Sequence, residues 1–291
     1  MSIPIFTDEV DTKGGWHGAQ LSDAFAKRDV EAVFVSLRDC VIDLSLQSPH
    51  IQIPHFDESP KIAFVRGIAG GTLQQITTRL NVLHMLKMQG VLIYNDAKAI
   101  ERTVDKAMTS FLLHQAAIQT PQTWVCESRL IAHEIIQTQQ VNAKSPLIIK
   151  PLFGSQGHGV RLINKPLPLP MDQYVDGVFY LQKMVKSTHD YRVFVIDNQA
   201  IAAMRRRGES WLHNVALGAE CEAVDDAEVN HLAEQAAKVV DIAYCGVDII
   251  RDENGVLYVL EVNSIPAWRG LQSVVKIDIA QVLVDDCLKR L

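Results

Sequence analysis

The sequence predicts a mixed α/β and α+β protein built from several packed units, and three observations carry that expectation. The first ninety-odd residues alternate short apolar runs with a long helical stretch, the pattern of a small α/β unit with a largely parallel sheet. Beyond Pro121, short strands and glycine turns follow one another as in α+β proteins. A chain of 291 residues also exceeds what one hydrophobic core usually serves, so two or three units are expected.

Taken in order, Ala32 to Val35 and Ile62 to Val65 read as buried strands. From Thr72 a helix places Leu73, Ile76, Leu80 and Leu83 at spacings of three and four, marking one face for burial. Val91 to Tyr94 is strand-like and closes a first unit over 1–97. A second unit, 98–185, opens with a helix that groups Ala107, Met108, Phe111 and Leu112 on one face, with Asp105 in its first turn. Strands at Pro146 to Lys150 and Val160 to Ile163 then flank a glycine-rich loop, ahead of a polar, proline-rich stretch from Asn164 to Pro170. In the third unit, 186–291, strands Tyr191 to Ile196 and Ala200 to Met204 meet at Asp197-Asn198. A helix with Val229, Leu232, Ala233, Ala236, Val239 and Val240 in register follows.

Composition narrows the function. Hydrophobic residues make up 48% and charged residues 21%, the balance of a globular protein. No stretch reaches the roughly 18 apolar residues of a membrane helix, and the first residues lack a signal-peptide pattern, so a cytoplasmic protein is expected. The five cysteines are dispersed without a CxxC pair and the ten histidines without HxH or HExxH spacing. Any metal should therefore be held by oxygen. A net charge of −6 argues against nucleic-acid binding. Against that acidity stands the run Arg205-Arg206-Arg207, either a solvated face or an anion site.

Chemistry concentrates in GVDIIRDENGVLYVLEVN, Gly246 to Asn263. Two β-rich runs flank Asn254-Gly255, a strong signal for a two-residue hairpin turn. That turn sets Asp248 directly opposite Glu261; a four-residue loop over 252–255 would set them diagonally, still on one face. Alternation adds Asn263 to the same face. Two carboxylates and an amide amid aliphatic residues need a partner if buried, and hard oxygen ligands suit magnesium or manganese. A solvent-facing hairpin with ordinary polar alternation is the other reading. Lys150 precedes the loop Gly154-Ser155-Gln156-Gly157-His158-Gly159, whose glycines free backbone N–H groups to approach an anion. The loop is neither a Walker A nor a Rossmann fingerprint, and a glycine hairpin without ligand is its alternative.

In combination these pieces become specific. The order Asp105-Lys106, PLIIKPLFGSQGHGV (Pro146 to Val160), LQKMV (Leu181 to Val185), DYRVFV (Asp190 to Val195), AMRRR (Ala203 to Arg207), GVDII and LEVNSIPAWRGL resembles the ATP-grasp ligases, and within them the RimK-type α-L-glutamate ligases. The resemblance spans nearly the whole chain, including Arg66-Gly67 and Tyr94-Asn95. It implies an ATP-grasp fold behind an N-terminal Rossmann-like domain, with ATP and two magnesium or manganese ions bound.

Carried onto this sequence, the resemblance makes Asp248, Glu261 and Asn263 the metal ligands. Lys106 and Lys150 become contacts to ATP phosphates, and Gly154, Ser155, Gln156, Gly157 and Gly159 part of the flap that closes over them. Gln182, Lys183 and Met184 match the hinge whose backbone reads adenine, though the family's hinge glutamate is replaced by Lys183. Asp190 and Asn214 fall near the ribose and the phosphates, and Arg206 or Arg207 at the reacting centre. The implied reaction joins an amino acid, L-glutamate by resemblance, to a carboxylate acceptor through an acyl phosphate. The acceptors it implies are a pterin-type cofactor, a peptide or a protein C-terminus. An ATP-binding regulator without catalysis and a ligase for D-alanine-like or glutathione-like substrates are the rival readings, and a homo-oligomer remains open.

Overall fold

The computed structural model describes residues 1–45, 48, 50–142, 146–154, 159–163, 177–208 and 220–291. In its first part β1 (Ser2–Phe6), α1 (Gly15–Ala26), β2 (Glu31–Val35), β3 (Val41–Asp43), β4 (His50–Gln52), β5 (Ile62–Val65), α2 (Leu73–Met88) and β6 (Leu92–Tyr94) follow in order. Strands β2-β1-β5-β6 form a parallel sheet, as the alternation of types requires, while β3 and β4 make a separate hairpin. Side chains alternate strictly across that sheet. Ile3, Ile5, Ile62, Phe64 and Tyr94 join α1 on one side, and Phe6, Ala63, Val65 and Ile93 join α2 on the other.

Helix α2 begins at a capping box in which Thr72 Oγ1 accepts from Gln75 N and Gln75 Oε1 accepts from Thr72 N. Its buried residues are Arg79, Val82, Leu83 and Leu86, whereas Leu73 is exposed. The expected stripe is thus met only in its later half, where Leu83 is buried and Leu80 packs against the same core. Leu73 stands at the helix start, ahead of the sheet, and Arg79 turns inward because its guanidinium donates to Ala69 O (2.5 Å) and Gly70 O (3.0 Å).

Next come α3 (Ala97–Val104), α4 (Lys106–Gln115), β7 (Thr123–Cys126), α5 (Arg129–Asn142), β8 (Leu147–Lys150), β9 (Arg161–Ile163) and β10 (Phe179–Lys183). Asp105 caps α4, its carboxylate accepting from the amides of Ala107 and Met108. Here too the predicted face is corrected: Thr109 and Leu113 are buried, while Met108 and Phe111 face outward. The four strands pair antiparallel in the order β7-β10-β8-β9, with Leu147, Ile149, Ile163, Phe179 and Leu181 packed on α5.

The last part holds β11 (His189–Ile196), β12 (Gln199–Arg207), β13 (Glu220–Ala223), α6 (Ala227–Val240), β14 (Tyr244–Arg251), β15 (Leu257–Asn263), α7 (Arg269–Gln272) and α8 (Ile279–Lys289). Its five strands run β13-β12-β11-β14-β15, all antiparallel. Asp197 (φ 49°) and Asn198 (φ 60°) form the tight turn between β11 and β12, both left-handed as a primed turn demands. One face of this sheet buries Val193, Val195, Val247, Ile249 and Val262 against α6. The other contributes Phe194, Ile196, Met204 and Tyr244 to the core shared with the parallel sheet and α8.

Asn95, fully buried, ties these parts together. Its amide nitrogen donates to Tyr244 O and Ser264 O, and its oxygen accepts from the amides of Ala243 and Tyr244. This clamps the start of β14 to the residue that follows Asn263. No described helix is long and apolar enough to cross a membrane.

Trp268 N–H donates to His17 Nε2 at 3.1 Å, which requires a neutral imidazole. Burial, then Arg66 and Arg269, hold that histidine down at about 3 instead of 6.5. The unfolded chain therefore gains a proton near its ordinary value that the folded chain refuses. Stability is full above that value and falls by about 1.4 kcal/mol per pH unit below it. Thermal melts should show the wild type losing up to about 2 kcal/mol between pH 7 and 5, a loss His17→Gln does not share.

Candidate active site

The site grows from the hairpin β14–β15. Its turn is longer than two residues: Asp252 N–H donates to Val256 O, Arg251 pairs with Leu257, and Gly255 takes the positive φ (85°). Carried on unchanged, that register would set Asp248 against Leu260 and turn Glu261 to the α6 side. A bulge between the Ile249–Val259 and Asp248–Glu261 pairs absorbs one extra residue. Asp248 consequently lies directly opposite Glu261, with Gly246 opposite Asn263, on the face away from α6. Asn263 Nδ2 donates to Glu261 Oε1 at 3.0 Å.

On the neighbouring strands the same face carries Asp190, Arg192 and Arg206. Arg192 grips Asp248 with two bonds, Nε to Oδ1 (2.5 Å) and Nη2 to Oδ2 (2.8 Å). Arg206 grips Asp190 the same way (2.7 and 2.9 Å) and also donates from Nη2 to Asp248 Oδ1 at 3.0 Å. Burial alone would raise the Asp248 carboxyl, but Arg192 and Arg206 overrule it and hold it below its ordinary value. Despite burial, Asp248 and Asp190 likewise hold the Arg206 guanidinium above its usual range. Arg205 and Arg207, by alternation, point the other way and lie near Glu222, the first bonded at 2.5 Å and the second 3.7 Å away. Of the two arginines expected at the reacting centre, Arg206 is on the site face and Arg207 is not.

The second wall is the polar face of the four-stranded sheet. Lys150 Nζ donates to Gln182 Oε1 (2.7 Å), and the Gln182 amide donates to Thr123 Oγ1 (2.9 Å) and Tyr180 Oη (3.1 Å). Tyr180 is bonded in turn to Ser110. Burial, with help from Lys106, pushes Lys150 down to about 8, while Glu261 and Asp248 pull upward. Burial likewise lowers Lys106, with Glu261 and Asp105 opposing. Both lysines therefore sense Glu261, which places the two walls within electrostatic reach of each other. Lys106, the first residue of α4, donates from Nζ to Gly154 O at 2.7 Å, so it touches the start of the glycine-rich loop. Gly159, at the loop's other end, has φ 75°, and a Cβ there would lie 2.7 Å from Pro151 Cγ.

In the hinge, Lys183 N–H donates to Gln122 O and Met184 N–H to Pro146 O, so those two amide protons are committed to neighbouring strands. Ser155, Gln156, Gly157 and Asn214 lie outside the described residues. Arg192 went unassigned in the sequence, although the alternation that selects Asp190 selects it as well. Thr123, Tyr180 and Ser110 carried no comparable signal, because their bonds join separate elements.

Solved structures that superpose on this chain include ATP-grasp ligases. PsnB, an ATP-grasp ligase complexed with a minimal precursor, superposes over 100% of this chain and 99% of its own at TM-score 0.75 and 20% identity. The D-cycloserine synthetase DcsG does so over 100% and 99% at TM-score 0.76 and 17% identity. At such identities the likeness establishes the fold, with the three larger sheets in ATP-grasp arrangement.

Sequence narrows that class. The RimK-like ATP-grasp domain model matches residues 103–287. A tetrahydromethanopterin:alpha-L-glutamate ligase of Methanococcus maripaludis is 30% identical over 304 aligned positions, covering 99% of this chain and 98% of that protein. A probable alpha-L-glutamate ligase 2 of Hahella chejuensis is 29% identical over 93% of this chain and 91% of its own. The chain belongs to the RimK-like ATP-grasp family and is an ATP-grasp ligase.

Proposed function

We propose that this ligase uses ATP to join L-glutamate, as the amine, to a carboxylate acceptor, through an acyl phosphate and with release of ADP and phosphate. The observation that carries the reading is the face on which Asp248 stands opposite Glu261, beside Asn263 and within electrostatic reach of Lys106 and Lys150. Such a wall of carboxylates facing a wall of lysines suits a metal-bound polyphosphate. The names of the Methanococcus and Hahella relatives support glutamate.

Charge counting on the face tests whether magnesium fits. Asp190, Asp248 and Glu261 meet two guanidiniums, Arg192 and Arg206, leaving one carboxylate in excess. Asp248 Oδ1 already accepts two bonds and Oδ2 one, so Glu261 and the Asn263 amide are the more available donors. An all-oxygen set with one surplus negative charge fits magnesium, which keeps water and phosphate oxygens in its shell. When bound, the ion would neutralise phosphate charge during transfer.

The chain's own residues do the rest. Lys150 and Lys106 supply positive charge to the phosphates, and Gln182 orients Lys150 by accepting a hydrogen bond from its Nζ at 2.7 Å. Arg206, held rigid by Asp190, offers a preorganised donor to the oxyanion formed when the amine attacks the acyl phosphate. Asp190 serves first as the anchor of Arg206, and Arg207 is left to the surface. With the Lys183 and Met184 amide protons committed, adenine recognition falls to hinge carbonyls and the residues beyond them.

Incubation with ATP, magnesium, L-glutamate and an acceptor panel, read by ADP release and product mass, tests the proposal. Tetrahydromethanopterin heads that panel because the Methanococcus relative is named for it. A product heavier by one glutamyl residue supports it, and ADP release that never depends on glutamate overturns it. Lys150→Met should weaken ATP binding by about tenfold or more while adenosine affinity stays nearly unchanged, since the lysine acts as a charge. Calorimetry with both ligands checks this.

A further inference from the structure

Four buried side-chain atoms among the described residues have no hydrogen-bond partner: Arg66 Nε, Trp268 Nε1, His133 Nε2 and Asn230 Oδ1. Two of them are neighbours. The Arg66 guanidinium lies over the Trp268 ring, 5.0 Å from its centroid. Both unpaired groups are N–H donors, one belonging to a cation, in a core where Asn95 satisfies all of its side-chain bonding capacity nearby.

Their place in the fold points the same way. Arg66 follows the carboxyl end of β5, and its N–H and that of Gly67 both donate to Phe6 O at the carboxyl end of β1. The sheet order β2-β1-β5-β6 means that the chain leaves β1 toward one edge and returns to build the other, with α1 and α2 on opposite faces. The gap between β1 and β5 is therefore the topological switch point, where open α/β sheets bind ligands. Trp268 enters from the segment after Asn263. Its backbone N–H is fixed by His17, and its ring packs edge-on against Phe194 at 5.9 Å. Gly246 makes the approach possible, because a Cβ there would lie 2.9 Å from Pro266 Cβ and 2.8 Å from Arg192 Nη1. Pro266, two residues before Trp268, and Arg192, which grips Asp248, thus meet at Gly246.

We propose that Arg66 and Trp268 form a carboxylate-anchoring subsite, in which Trp268 Nε1–H and the Arg66 guanidinium hold a substrate carboxylate other than the one being activated. An indole N–H and a guanidinium present only donors, so the ligand must bring acceptors and negative charge. Burial holds the Arg66 guanidinium below its ordinary range, with Tyr244, Glu9 and Asp8 opposing and none of them bonding its Nε, and Arg269 adds positive charge at the His17 side. That the carboxylate belongs to the amino-acid substrate rests on the ligase reading above; the subsite itself does not.

Calorimetry on the full chain with ATP analogue and magnesium present decides the matter, using L-glutamate, its α-amide, its γ-amide and succinate as probes. Wild type should bind L-glutamate and lose at least tenfold in affinity when the anchored carboxylate is amidated. Arg66→Met should lose tenfold or more for L-glutamate, Arg66→Lys less, and Trp268→Phe, which keeps a ring and removes one N–H, about threefold. ATP-analogue affinity should stay within twofold throughout. Loss for succinate but not for glutamate assigns the same subsite to the acceptor. If Arg66→Met fails to fold, Trp268→Phe decides alone. Binding of carboxylates and amides with equal affinity, unchanged glutamate and succinate affinities in folded variants, or no carboxylate binding at all overturns the subsite. Arg66-dependent carboxylate binding with no glutamate-dependent product overturns the ligase reading instead.

Discussion

Glu261→Gln lowers turnover by about 100- to 1,000-fold while leaving the fold in place, because it removes the one carboxylate on the sheet face that no arginine neutralises. Glutamine keeps the length of the side chain and an oxygen to accept from Asn263 Nδ2. What disappears is the surplus charge that the proposed magnesium and the two lysines sense. Steady-state rates across a magnesium titration, with thermal melts beside them, measure this. Wild-type turnover at limiting magnesium would remove Glu261 from the site.

The second large effect is at Arg206. Arg206→Met strips Asp190 of a bidentate partner and Asp248 of one of its two guanidiniums, leaving buried charge uncompensated at a cost of about 3 kcal/mol in stability. Amide formation should fall by about 100-fold beyond any loss of folded protein, with a much smaller change in ATP affinity, since an oxyanion donor acts in the transition state. Arg206→Lys keeps the charge and should recover most of the stability but little of the rate, because a point charge cannot reproduce the fork. Arg205→Met and Arg207→Met, whose side chains lie by Glu222 on the other side of the sheet, should melt and turn over much like wild type. Single-turnover amide formation compared with melting temperature separates the two roles of Arg206. Equal rates in the three Arg→Met variants would leave Arg206 a structural partner of Asp190 and Asp248 with no part in the chemistry.

Helix faces were the least legible part of the fold. The stripe Leu73, Ile76, Leu80 and Leu83 does lie on α2, yet burial centres on Val82, Leu83 and Leu86 because the sheet meets only the later turns. In α4, Met108 and Phe111 belong to a good helical pattern and still face outward, since Thr109 and Leu113 are what the neighbouring helices cover. Periodicity names the residues that share a face. It does not name the face that finds a neighbour.

Strand chemistry was legible because it is local. Alternation alone separates Arg206 from Arg205 and Arg207 and puts Asp190 and Arg192 on one side of β11. It also brings Asp248, Glu261 and Asn263 to one face, though the turn chemistry behind that expectation was incomplete. A five-residue loop changed the register, and the bulge near Leu260 restored it. The sequence by itself determined which side chains stand together along a strand and the order of motifs that marks an ATP-grasp ligase, because those depend on period and succession within the chain. Only the tertiary structure decided that Lys150 meets Gln182, that Asp248 is shared by Arg192 and Arg206, and that Arg66 lies over Trp268. These partners are far apart in sequence. The first two meetings follow from which strands pair within a sheet and the third from which parts of the chain pack together, and burial makes each charge answer to the few that reach it through a medium with little water to screen them.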